Sequence, residues 1–133
     1  MGERGKKWQA DVLSVLRQRG GPLTAYEVLG ELRHSHPNIS PPTIYRALSA
    51  LRERGEILRL ESLNAFIACQ HRGTQHGAIL SICDECGVVE ESVAPDVLAE
   101  LSKVAGRSGF SALRHVVELH GQCAACHRGG STA

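Results

Sequence analysis

The chain lacks any apolar run approaching the roughly 20 residues needed to cross a bilayer, which excludes a membrane-spanning helix. It also lacks an apolar segment behind its basic start, Met1-Gly2-Glu3-Arg4-Gly5-Lys6-Lys7, so no signal peptide is expected and the chain reads as cytoplasmic. Aromatic residues are few, 4% of 133, within a hydrophobic share of 42%. A chain of this length makes one ordinary domain, or two small ones that lean on a partner. Neither sign of charge dominates, since the net charge is +1. That balance hides an asymmetry. Residues 1–60 carry ten Lys/Arg against six Asp/Glu, and residues 61–133 carry five against eight. The front part suits a polyanion and the back part suits cations.

What is present in quantity is cysteine and histidine. Without an export signal, five cysteines do not read as a disulfide framework, because the cytosol keeps thiols reduced. They stand as Cys69, then Cys83 with Cys86, then Cys123 with Cys126. Five of the seven histidines (His71, His76, His115, His120, His127) lie beyond residue 70.

The front half has the punctuation of three helices and a hairpin. Lys7 to Arg19 is predicted helical, with Trp8, Val12, Val15 and Leu16 on one face, and Gly20-Gly21-Pro22 ends it. Thr24 with Glu27 three residues later is a capping box opening a second helix, which runs to about His34. Ser40, followed by Pro41 and Pro42, opens a third, with Ile44, Leu48 and Leu51 inward and Gly55 closing it. Glu56 to Leu60 and Ala65 to Cys69 are predicted to be strands joined through Ser62-Leu63-Asn64. This order makes a winged helix-turn-helix. Its third helix would enter the major groove of double-stranded DNA by its N-terminal residues, Thr43, Tyr45 and Arg46. Arg46 can fork onto a guanine, and Tyr45 can touch a thymine methyl or a phosphate. On pattern alone, the same residues also suit the surface of an ordinary helical domain.

In the back half, two Cys-x2-Cys pairs separated by 36 residues form the closed four-thiolate set that structural Zn²⁺ favours: Cys83, Cys86, Cys123 and Cys126. A redox dithiol would need one pair, an exposed thiolate and a thioredoxin-like context. Cys69, with His71 and His76 close behind it and Glu90-Glu91 past the first pair, suggests a second metal site. The intervening chain is predicted to be an α/β unit. Its strands are Ala78 to Cys83, Val88 to Ser92 and Leu113 to His120, with a helix from Pro95 to Ser108 directing Val97, Leu98, Leu101, Val104 and Ala105 inward. Three strands and one helix close no core alone, so a symmetric homodimer is expected. Residues His127 to Ala133 read as a disordered tail. The fold class is thus α+β: an N-terminal winged helix-turn-helix, then a small α/β dimerisation domain with a four-cysteine zinc site.

Three stretches then agree in order. They are Pro42-Thr43-Ile44-Tyr45-Arg46-Ala47-Leu48 with Leu51 and Gly55; Cys83-Asp84-Glu85-Cys86-Gly87; and His115 with Gly121-Gln122-Cys123-Ala124-Ala125-Cys126. Together they resemble the Fur (ferric uptake regulator) family over about residues 8–126, most closely its zinc uptake regulators. The resemblance implies a zinc-responsive, dimeric transcriptional repressor of zinc uptake genes. Its winged-helix DNA-binding domain would span residues 1–69, its hinge 70–76, and its dimerisation and metal-binding domain 77–133. It implies zinc both as a structural ion at the four cysteines and as the regulatory signal at the hinge. The sensing ligands would be Cys69, His76 and Glu91, plus a His at the start of the wing. That position holds Leu58, which cannot bind zinc, and His71 is the candidate replacement. His115 and His120 are read as structural. The alternatives are an iron or peroxide sensor of the same family, or a zinc-dependent enzyme. A Cys at the wing argues against the first. His76 is followed by Gly77-Ala78 rather than the x-Glu of a zinc deaminase, which argues against the second. No membrane and no small-molecule substrate is expected as a partner.

Overall fold

The computed structural model describes residues 3–69 and 78–130. Two compact units divide the chain, Met1–Gln75 and His76–Ala133.

The first unit is three helices and a hairpin: α1 (Glu3–Arg19), α2 (Ala25–Leu32), α3 (Pro41–Glu53), β1 (Ile57–Leu60) and β2 (Ala65–Ala68). The helix starts follow from local chemistry. Thr24 Oγ1 accepts the Glu27 N–H at 3.1 Å while Glu27 Oε1 accepts the Thr24 N–H at 2.9 Å, so two otherwise orphaned donors are satisfied reciprocally. At α3 the prolines open the helix as expected, but Ser40 makes no side-chain cap. Its hydroxyl lies 3.0 Å from that of Thr43 instead. α1 starts at Glu3, four residues before the sequence-based start, and ends where Gly20 takes φ 68°, a left-handed turn that glycine adopts without strain. Heptad-like spacing then gives one core. Val12 and Leu16 of α1, Val28 of α2 and Ile44, Leu48 and Leu51 of α3 are buried together with Ile57 and Phe66. The hairpin pairs in antiparallel register, Ile57 with Ala68 through Leu60 with Ala65. Leu23 and Phe66 exchange backbone hydrogen bonds at 3.0 and 2.8 Å and stitch the loop before α2 to β2.

The second unit is a three-stranded sheet of β3 (Ala78–Cys83), β4 (Val89–Val93) and β5 (Val117–Gly121), with α4 (Pro95–Gly106) and α5 (Ala124–Gly130). β3 is central, antiparallel to β4 and parallel to β5. Three expectations are corrected here. β5 begins at Val117 rather than Leu113, because its partner β3 meets it from Ile79 onward and Leu113 stands 95% exposed. The supposed tail is helical through Gly130, since the second Cys-x2-Cys pair winds into a helical turn in which His127 N–H donates to Cys123 O at 2.8 Å. On α4 only Leu98 is buried, while Val97, Leu101 and Val104 are 49%, 43% and 53% exposed. Among the described residues, no helix is long and apolar enough to cross a membrane.

Candidate metal centre and nucleic-acid interface

Parallel pairing of β3 with β5 brings Cys83 opposite Gly121, so both cysteine pairs lie at the same end of the sheet. The first pair sits on the turn after β3. Cys83 N–H donates to Val88 O, and Gly87, at φ 80°, donates back to Cys83 O, each at 2.9 Å. The second pair opens α5. Asp84 N–H donates to Gly121 O at 2.8 Å and ties the two turns together. Gln122 Nε2 adds a bond to Glu85 Oε1 at 2.5 Å. In each pair the backbone N–H of the second cysteine points at the sulfur of the first, Cys86 to Cys83 at 3.4 Å and Cys126 to Cys123 at 3.5 Å.

The four sulfurs lie within 4.8 Å of one another, and those of Cys86 and Cys123 are 3.7 Å apart. A tetrahedron with Zn–S bonds of about 2.3 Å has edges of about 3.8 Å, so the cluster has the size that zinc requires. Its acid–base chemistry agrees. The backbone N–H groups of Cys86 and then of Cys123 hold the Cys83 thiol down to about 6 from 9.0, against the opposing effect of burial. Cys126 moves the other way, raised first by the Cys123 sulfur and then by those of Cys83 and Cys86. Cys86 is also raised: the Val88 N–H lowers it, but the sulfurs of Cys83 and Cys123 outweigh that donor. Four crowded thiols cannot all ionise unless a cation compensates them, and a soft divalent cation does so. Around this cluster His120 Nδ1 lies 3.0 Å from Asp84 Oδ1 and buttresses the first turn. His115 Nε2 lies 2.8 Å from Ser102 Oγ of α4.

The other candidate ligands in the described residues belong to different units. Cys69 is half-buried just beyond β2, its N–H donating to Glu56 O at 2.9 Å. Glu91, on β4, is the buried charged side chain among the described residues, 7% exposed, while its neighbour Glu90 is exposed. Leu58 is buried on β1 opposite Ile67. His71 and His76 lie outside the described residues, as does the predicted hinge at 70–76.

On α3, the outward residues fall into two grooves of the first unit. Thr43 and Arg46 line a groove of about 540 Å³ beside Arg4 and Gln9 of α1. Tyr45, 59% exposed, lines a second of about 320 Å³ together with Ser49, Arg52 and Tyr26 of α2. Tyr26 and Arg52, which line this groove, are not among the residues singled out by the sequence. Tyr26 is 82% exposed in the first turn of α2, and Arg52 lies seven residues after Tyr45 on the same stripe of α3. The helical period was the available signal for Arg52.

Known proteins resemble the chain over nearly its whole length. A zinc uptake regulation protein of Escherichia coli (strain K12) is 39% identical over 118 residues, spanning 87% of this chain and 68% of that protein. A solved zinc uptake regulator complexed with zinc and DNA superposes with a TM-score of 0.83 at 37% identity, covering 90% of this chain and 80% of that one. The structure described as holo XcZur gives 0.82 at 39% identity over 90% and 83%. The family described as the ferric uptake regulator family matches residues 2–120, and the chain belongs to that family.

Proposed function

We propose that the chain is a zinc-responsive, DNA-binding repressor that acts as a homodimer and controls zinc uptake genes. The observation that carries this reading is its likeness, at 37% identity and a TM-score of 0.83, to a zinc uptake regulator complexed with zinc and DNA. The all-thiolate cluster supports it, because zinc there supplies folding free energy and leaves no open position for a substrate. The activity is therefore regulation rather than catalysis, and its place is the cytoplasm.

Cys83, Cys86, Cys123 and Cys126 hold the structural zinc. The regulatory zinc is the signal, and Cys69, His76 and Glu91 receive it, with His71 in place of the missing wing histidine. The winged helix occupies residues 1–69, the hinge 70–76 and the dimerisation domain 77–133. Burial of Glu91 supports its role, since a carboxylate is removed from water only where a partner compensates it. A thiolate beside imidazole prefers zinc to iron or manganese. Signal binding across the hinge then favours the arrangement of winged helices that matches successive major grooves. It shifts that equilibrium only by its differential affinity, about 2.7 kcal/mol for a 100-fold preference.

The test is DNA binding by fluorescence anisotropy, with duplexes enriched from a randomised pool and free zinc, iron(II) or manganese(II) buffered across their ranges. Tight binding switched on by zinc alone is expected. Activation by iron(II) at lower free concentration than zinc overturns the zinc assignment in favour of an iron sensor. Binding indifferent to every metal overturns the regulatory reading.

A further inference from the structure

Of the described arginine side chains in the first unit, several are already engaged. Arg19 pairs with Glu31, Arg33 donates to Ile39 O, and Arg54 is held by Glu56 and Gln9. Arg59 of β1 donates to Glu61 Oε1 at 2.5 Å and to Asn64 Oδ1 at 2.8 Å, so its charge is largely compensated. Arg52 is different. Among the described residues its side chain has no hydrogen bond or ion pair, and it is exposed. It faces the 320 Å³ groove between α3 and the hairpin, whose walls include Tyr26, Tyr45, Ser49, Arg59 and Asn64 and no carboxylate.

Such a groove suits an anion, and geometry indicates which part of a duplex would supply it. A recognition helix points its N-terminal residues at the base edges, and its later turns rise away from the groove floor. Arg52 lies seven residues beyond Tyr45, about 10.5 Å along the helix axis at ~1.5 Å per residue. That is about three base-pair rises of ~3.4 Å, so Arg52 and Tyr45 are spaced to meet different nucleotides. Ser49 lies between them on the same stripe and offers a hydroxyl donor. Arg59, fixed by Glu61 and Asn64, walls the far side.

We propose that Arg52, assisted by the Ser49 hydroxyl, seats a backbone phosphate of the bound duplex in the groove between α3 and the hairpin, as a sequence-independent anchor. The proposal rests on the DNA-binding reading above and adds to it a site whose ligand is a phosphodiester rather than a base. Arg46, in the other groove, is the base reader. Arg52 also sits in the last turn of α3, where a cation favours the helix dipole. That purely structural role would alter thermal stability and leave the salt dependence of DNA binding untouched.

The experiment measures affinity of the zinc-loaded full chain between about 50 and 200 mM salt, on a mixed-sequence duplex and on a duplex enriched from a randomised pool. Each neutralised phosphate contributes about 0.9 to the slope of log affinity against log salt. Arg52→Gln is expected to flatten the slope by about 0.9 and to weaken both duplexes by the same factor. The wild-type advantage should then shrink about 3.5-fold across that salt range. Arg52→Lys, which keeps the charge, should keep the slope. An unchanged slope for Arg52→Gln, or a loss confined to the enriched duplex, overturns the phosphate seat while wild-type binding upholds the wider reading. A wild-type chain that binds neither duplex overturns both.

Discussion

Single residues divide the five cysteines into two classes, and the division can be measured. Cys83, Cys86, Cys123 and Cys126 converge to within 4.8 Å, and the backbone of each turn is built around its sulfur. Loss of one leaves an incomplete set, and structural zinc in such sites supplies folding free energy on the order of 10 kcal/mol. Cys69 is half-buried at the end of a strand whose own unit has a separate apolar core. Cys83→Ser is therefore expected to abolish tightly held zinc and the cooperative unfolding of the second unit together. Cys69→Ser is expected to leave one zinc per chain and an ordinary melt while removing zinc-dependent DNA binding, because its replacement lacks the thiolate. Zinc content after dialysis against a mild chelator, read beside the thermal melt, separates the two. A Cys83→Ser protein that kept its zinc would refute the first assignment, and a Cys69→Ser protein still switched by zinc would refute the second. His71→Ala belongs to the same series. If His71 replaces the ligand absent at Leu58, its loss weakens the exchangeable zinc as much as His76→Ala does, and wild-type titration makes it a spectator.

At the scale of elements, what was legible in the sequence is what local chemistry decides. The Thr24–Glu27 capping box, the prolines at the start of α3 and the alternation around β1 and β2 each specify an element by short-range rules. The elements that depend on distant partners were read less well. Alternation alone predicts β5 from Leu113, four residues before its observed start, because that start is set by pairing with Ile79. α5 has no local signal, because seven residues ending in Gly129 and Gly130 have weak helical preference, and the Cys123–Cys126 turn organises them. The same distinction applies to the candidate DNA-binding residues. The apolar stripe of α3 identifies its outward positions, but only the fold shows that Thr43 and Arg46 share one groove and Tyr45 another. Arg46 is exposed and unpaired among the described residues, in the first half of α3, where base edges are read. Arg46→Ala is expected to cost about 1–3 kcal/mol on an enriched duplex and much less on a mixed-sequence one. Competition titrations with both duplexes give the ratio, and equal losses would reduce Arg46 to a phosphate contact.

For the whole molecule, the apolar surface of the second unit is the informative feature. Val97, Leu101 and Val104 recur at intervals of four and three, the spacing of one helical stripe, yet all three face solvent in the single chain. Leu119 of β5 and Val93 of β4 are 56% and 51% exposed, and both belong to strands at the edges of the sheet. The sequence pattern marked the α4 stripe as inward and the single chain leaves it outward. A second copy seated on the stripe would reconcile the two, and that is the arrangement proposed for the homodimer. Leu101→Asp tests this directly. In a monomer the substitution changes an exposed position and leaves stability within about 0.5 kcal/mol. In a dimer it buries an unpaired carboxylate at the contact, at a cost of several kcal/mol. Sedimentation of the zinc-loaded protein should then show dimerisation weakened at least 100-fold, about 2.7 kcal/mol, with the four-cysteine zinc retained. DNA binding should fall with it, since two half-sites are held only when two winged helices are joined. A Leu101→Asp chain that sediments as a stable dimer would place the contact elsewhere, with the sheet edges of β4 and β5 as the next surfaces to vary.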